Sequence, residues 1–188
     1  MSSFKTIFSE KYSLSPVACD TLFSEMKEVE KKKGEILIRE GEVHSSIYFI
    51  KKGALRSFYI NDEGKDVTLW FGFEADVAAS LSNVIELKPS VENIEFLEDS
   101  TILKIQRSVL FDLYHSNLEL ANFGRHLAEI ALIEMEQQIL STQFVDAKSR
   151  YKALIQKSPH VLQRVKLGHI ASYLGISQVT LSRIRAES

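Results

Sequence analysis

The spacing of apolar residues changes period near residue 107, and this switch limits the chain to a β-rich body followed by a helical end. From Gly34 to about Gln106 the apolar residues fall in short runs, EILI, SIYFI, ALRSFYI, VTLWFGF, VENIEFL and STILKI, separated by Gly-Glu, Lys-Lys-Gly and Asn-Asp-Glu-Gly. Six or more short strands with tight turns predict a β-roll or sandwich. Gly34, Gly41, Gly53 and Gly64 fall at strand ends, where a turn often needs positive φ. From Ser108 to Lys157 the helical period takes over: Leu118, Ala121, Leu127, Ile130, Ala131, Ile133, Met135, Ile139, Leu140 and Phe144 form one long apolar stripe. Before the strands, Ser15-Pro16 starts a helical pattern carrying Val17, Leu22, Phe23 and Met26, read as one amphipathic helix over 15–32.

A helix of about 25 residues reaches roughly 37 Å, longer than a small roll beside it, so a second copy of the chain is the natural cover for the excess. The alternative is a helix buried wholly within its own chain. Gly124 weakens the helix near its start and marks a candidate bend. Asp146 is placed to cap a following helix, closed by Ser158-Pro159, which makes a hinge there.

The net charge of −2 hides a division. Residues 147–188 hold eight Lys or Arg against the single acid Glu187, a sum of +7, so the remainder carries −9. A basic end on an acidic body suits a polyanion partner at that end. Basic tails are also ordinary solvated surface, so residue types must decide. Within Leu167–Arg185, LGHIASYLGISQVTLSRIR, residues Ile170, Ala171 and Leu174 give one short apolar face. Gly175 supplies a turn, Ile176 packs beneath it, and Ser177 caps a second helix bearing Val179, Leu181 and Ile184. That helix exposes Gln178, Thr180, Ser182, Arg183 and Arg185, residue types that bond base edges and phosphates. An ordinary helical hairpin with polar solvent faces is the plain alternative.

With GEILIREGE and YFIKKGALRSFYINDEGKD in the roll, FVDAKSRYKALI at the hinge and IASYLGISQVTLSRI at the end, the chain resembles the Crp/Fnr transcription regulators over nearly its whole length. The resemblance implies an α+β fold. Its parts are a double-stranded β-helix, or jelly-roll-like, sensor over 1–116, a dimerisation helix over 117–145, and an all-α helix-turn-helix domain over 146–188. It implies double-stranded DNA and a second copy as partners, and beyond them a small-molecule effector and RNA polymerase. It makes Ser177 to Ile184 the recognition helix, with Gln178, Val179 and Arg183 where members commonly contact bases. Val179 departs from the acidic residue often found there, which leaves the operator open. The chain also stops soon after this helix, so the elements that follow it in many members are missing. Ser177, Gln178, Val179, Thr180, Ser182, Arg183 and Arg185, with Lys148, Lys166 and His169 nearby, form the expected DNA contact set.

In members that bind cyclic AMP, a Gly-Glu-Leu stretch and a later Arg with Ser or Thr hold the phosphate. Here the aligned positions read Ala79, Ser80 and Leu81, then Ser90 and Val91, and no arginine lies between Arg56 and Arg107. Losing the guanidinium fork removes a charge-assisted anchor, Glu92 and Glu95 add negative charge, and Lys88 offers only a point charge. Cyclic AMP is therefore disfavoured. Ala79, Ser80, Leu81, Ser90 and Val91, with Trp70 beside them, are the expected effector pocket, its ligand unidentified; a roll that serves only as a scaffold is the plainer alternative. Trp70, Phe71 and Phe73 suit an apolar cavity or plain core equally.

Single Cys19 makes no internal disulfide and holds no iron–sulfur cluster, and His44, His115 and His126 show no pairing that suits haem. No cofactor or metal site is expected. A cupin-like enzyme would need clustered His and Glu on the strands, and no Ser-His-Asp order, P-loop or GxGxxG occurs, so catalysis is not expected. Without a run of about 18 apolar residues or a signal-peptide start, the sequence reads as cytoplasmic with no membrane partner. A small-molecule sensor that does not bind DNA stays open as the second class.

Overall fold

The computed structural model describes residues 3–187. Helices α1 (Phe4–Tyr12) and α2 (Pro16–Ser24) open the chain through serine caps: the Ser3 hydroxyl accepts from the Thr6 amide and the Ser15 hydroxyl from the Ala18 amide. The helix read over 15–32 therefore ends at Ser24. Lys27–Lys31 forms a strand instead, β1, antiparallel to the last strand with Val29 opposite Ile102. Val29 is the one apolar residue of the KEVEK stretch, so its alternation carries almost no hydrophobic signal; pairing with a neighbour distant in sequence decides its conformation.

Seven further strands follow: β2 (Ile36–Ile38), β3 (Ser46–Lys52), β4 (Leu55–Ile60), β5 (Asp66–Gly72), β6 (Val77–Ala78), β7 (Asn93–Phe96) and β8 (Ser100–Gln106). They form two antiparallel sheets, β1-β8-β3-β6 and β2-β7-β4-β5. Successive side chains on a strand face opposite ways, and β3 uses both faces. Tyr48 and Ile50 point between the sheets with Leu37, Leu55, Ile94, Phe96 and Ile102. Ile47 and Phe49 point out to a helical layer containing Phe8, Leu22, Leu110, Leu120 and Phe123. Gly34, Gly41, Gly53 and Gly64 all adopt positive φ, as the turns require. Gly53, at φ 123°, is the most constrained, because a Cβ there would run into Ser100.

After the roll come α3 (Arg107–Ser116) and α4 (Leu118–Phe144), divided at Asn117, whose side chain accepts from the Glu119 and Leu120 amides. Helix α4 has 27 residues, about 40 Å at ~1.5 Å per residue. It runs unbroken through Gly124. The glycine answers to packing: a Cβ there would come within 2.6 Å of the Tyr114 ring. Only Leu120 and Phe123 of α4 are buried; Leu127 and Ile130 pack partly against the same core, and the stripe from Leu132 on is bare, with Leu132 68% and Phe144 77% exposed.

Asp146 caps α5 (Ala147–Lys157) through the Ser149 amide at 3.0 Å. Then come α6 (Val161–Arg164), α7 (Leu167–Tyr173) and α8 (Gln178–Ala186). Tyr151, Leu154, Val161, Ile170, Ala171, Leu174, Leu181 and Ile184 form their core, joined by Ala54, Phe71 and Leu97 of the roll. Among the described residues no helix is long and apolar enough to cross a membrane.

Candidate nucleic-acid interface and effector pocket

Helices α7 and α8 meet at Gly175, whose φ of 64° places it in the left-handed region that L side chains rarely adopt. The Ile176 amide reaches back to the Ala171 carbonyl at 3.0 Å, closing the turn, and Ala171 is buried where the helices touch. The Ser177 hydroxyl accepts from the Thr180 amide at 3.1 Å and starts α8. Leu181 and Ile184 anchor α8 in the core, leaving Gln178, Val179, Thr180, Ser182, Arg183 and Arg185 exposed on one helix. Arg183 and Arg185 lie in its last turn, where cations are favoured by the helix dipole.

The basic end is less free than its charge suggests. Arg150 braces the hinge, its Nη1 donating to the Val145 carbonyl at 2.5 Å and its Nη2 to the Leu174 carbonyl at 2.9 Å. Arg164 is paired with Glu74 and Glu98, Lys157 with Glu134, and Lys148 with Glu187 at 3.1 Å. Lys152, Lys166, Arg183 and Arg185 make no ion pair among the described residues. Two of these four lie on α8, beside the polar row.

His169 departs from the outward set. Its ring is half-buried and its Nδ1 is fully buried without a partner. It lines a cleft of about 90 Å³ with Lys33, Glu95, Arg164 and Lys166. Burial first, then the charge of Arg56, push its pKa below the ordinary histidine value, against the opposing pull of Glu95 and Asp66. Arg56 is 4% exposed and bonded to Glu95 and, at 2.6 Å, to Asp66. Both causes favour the uncharged ring.

The expected effector residues do not converge on one cavity. Ser80 and Ser90 are buried, but the Ser80 hydroxyl bonds Ser82 at 3.0 Å and that of Ser90 donates to the Glu92 carbonyl at 2.7 Å. Leu81 and Val91 are 54% and 70% exposed, while Ala79 packs toward the helical layer. Trp70 lies over Gly72 and Ile50, against the inter-sheet core. Between the two serines, Ser82–Glu86 forms a π-helical turn ending at Leu87, which holds a left-handed φ of 55°. Asn83 fastens it: its amide donates to the Glu42 and Lys88 carbonyls at 3.1 and 2.6 Å, and its oxygen accepts from the His44 amide. The pattern alone did not single out Asn83, a buried amide between Ser82 and Val84. Lys88 is paired with Glu86 at 3.1 Å. Glu92, mostly buried, is bonded to Ser57; burial raises its pKa against that bond.

The architecture is thus a two-sheet roll with a self-fastened loop, followed by a long helix and four further helices. Residues 28–117 match the family described as cyclic nucleotide-binding domain. The transcriptional activator protein Anr of Pseudomonas protegens is 25% identical over 167 residues, 81% of this chain and 66% of that protein. The fumarate and nitrate reduction regulatory protein of Yersinia pestis is 26% identical over 169 residues, 81% and 65%. The chain thus matches just under two thirds of the length of these relatives. The structure of FixK2 from Bradyrhizobium japonicum shares the fold, with a TM-score of 0.76 at 19% identity, over 86% of this chain and 83% of that one. The chain is thus similar to regulators of this kind in sequence over most of its length, and shares the fold of FixK2.

Proposed function

We propose that the chain is a DNA-binding transcription regulator of Crp/Fnr type, acting in the cytoplasm as a homodimer, with a roll that does not respond to cyclic AMP. Residues 1–116 are the sensor-type roll, 117–145 the dimerisation helix, and 146–188 a helix-turn-helix domain with α8 as recognition helix. The observation that carries the reading is the row Gln178, Thr180, Ser182, Arg183 and Arg185, exposed on a helix whose other face is locked into a core. Ser177 and Val179 lie at its start, and Lys166, exposed at the start of α7, makes no ion pair among the described residues. Two copies paired through the bare stripe of α4 present two such helices to successive major grooves about 34 Å apart. Against cyclic AMP stand the missing arginine, the polar groups of the 80–91 loop already bonded to one another, and the Glu92 carboxyl.

The test is a gel shift on near-palindromic promoter fragments across a salt series. Binding should weaken steeply with salt. Arg183→Ala should cost about 1–3 kcal/mol on the preferred site and relax its sequence preference, whereas Lys166→Ala should weaken all duplexes alike and lower the salt slope by about one. A chain indifferent to duplex DNA would favour the sensor reading.

A further inference from the structure

The helical end is seated on the roll of its own chain through polar contacts that the DNA-binding reading does not use. Strand β5 is a sheet edge, pairing only with β4. On that edge the Ser172 hydroxyl of α7 accepts from the Thr68 amide at 2.9 Å and donates to the Asp66 carbonyl at 3.1 Å, standing where a neighbouring strand would. Next to it the Tyr173 and Phe71 rings meet, centroids 5.3 Å apart.

Arg164 closes the same seam. Its Nη1 and Nη2 donate to the two oxygens of Glu74 at 2.7 and 2.8 Å, Nη2 also donates to Glu98 at 2.5 Å, and the guanidinium lies 5.1 Å from the Phe73 ring centroid. This is the bidentate geometry that only arginine supplies. Its acceptor is held from behind: the Gly53 amide donates to Glu74 at 2.8 Å, from a turn that tolerates no side chain. Burial opposes the charge on Glu74, but the bonds from Arg164 and Gly53 outweigh it and hold the carboxyl below the usual range. The side chain of Arg164 is 21% exposed, so its donors face the roll.

The connection from α4 is short, Val145 and Asp146 between two helices; Arg150 and the Lys157–Glu134 pair tie α5 to it, and the Arg164 fork adds the tie to the roll. We infer that Arg164, held by Glu74 and Glu98, is a positioning residue for DNA recognition: it fixes the orientation of α8 relative to α4 and makes no phosphate contact of its own. The inference rests on the DNA-binding reading above. A dimer on two half-sites needs both ends oriented at once. If losing the clamp lowers the oriented fraction about tenfold per chain, specific affinity falls roughly a hundredfold per dimer, because apparent affinity scales with the competent fraction. Binding to random duplex has no half-site geometry to meet and should change little.

The test uses the full chain with Arg164→Lys, which keeps the charge without the fork, Arg164→Ala, and Glu74→Gln, which breaks the pair without touching a basic residue. Affinity is measured for a preferred site and for random duplex over a salt series, with thermal melting as a check of folding. Hydrogen exchange at the Thr68 amide reports the seam without DNA. All three variants should lose tenfold to a hundredfold on the preferred site, keep random-duplex affinity for Glu74→Gln and Arg164→Lys, keep the salt slope, and exchange Thr68 faster. Unchanged or increased specific affinity with faster Thr68 exchange overturns the inference, as does a slope that falls by one in Arg164→Ala. If the unaltered chain binds no duplex while Thr68 stays protected, the DNA-binding reading itself fails, and the inference with it.

Discussion

At the residue scale, His169 shows how far a side chain's role depends on which way it faces. As a member of a basic segment it reads as a phosphate contact; as a half-buried ring with an orphan Nδ1 it is a neutral group in the seam between roll and helices. The groups facing it are Arg56, Asp66 and Glu95 from the roll and Lys166 from its own end. Its folded pKa lies below the ordinary value near 6.5, so the unfolded chain binds the proton more readily. The stability it lends is therefore complete above pH 6.5 and is lost as pH falls from there through the lower folded value. Melting temperature should drop over that window, and His169→Gln should remove this part of the drop. A melting curve of the variant with the same acid dependence as the unaltered chain would show that other groups carry it. Arg56, almost wholly buried between Asp66 and Glu95, needs both partners; removing either leaves a poorly compensated charge.

At the element scale, the strands with apolar runs were legible in the sequence, since EILI, SIYFI, ALRSFYI, VTLWFGF, VENIEFL and STILKI each overlap a strand of the structure. So were the caps of α5 and α8, because the Asp146 and Ser177 side chains accept from the Ser149 and Thr180 amides, three residues on, a local chemistry. What local pattern does not contain is pairing at a distance. Strand β1 is charged at four of five positions and is held by β8 and by ion pairs such as Lys51–Glu28 at 2.5 Å. The Ser172 seat and the Arg164 fork join residues 66 to 106 positions apart. The expected effector positions flank the π-helical turn of Ser82–Glu86, and that turn depends on Asn83 reaching Glu42 across the fold. For α8 the expectation is quantitative. Ser177→Ala removes the acceptor for the Thr180 amide and should destabilise the helix by about 1 kcal/mol, read as a lower denaturant midpoint with unchanged slope. Ser177→Gly should cost only a few tenths.

At the scale of the whole molecule, the bare stripe of α4 is the largest feature a single chain leaves unexplained. Leu132, Met135, Ile139 and Leu140 line an open groove along the helix, with Ile133 and Phe144 exposed near it. Six large apolar side chains on one solvent-facing stretch exceed the scattered exposure ordinary for a monomer. A second copy laid along the helix would cover them in the manner of a coiled seam. Met135→Lys with Ile139→Lys should leave the roll folded and shift sedimentation from dimer to monomer, with DNA affinity falling together with the dimer. A double variant that still sediments as a dimer would place the subunit interface elsewhere.

The seat of α7 on β5 has a further consequence for how the chain is made. Strand edges with free amides are templates for aggregation, and this one is flanked by the apolar surface of Ala54, Phe71 and Leu97. During synthesis the β4–β5 hairpin is made about a hundred residues before Ser172 arrives to cover the Thr68 amide. Until then the outer hairpin is the part of the nascent chain most in need of shelter. The C-terminal helices thus finish the sheet as well as follow it, which gives the roll a reason to stay joined to them even where it senses nothing.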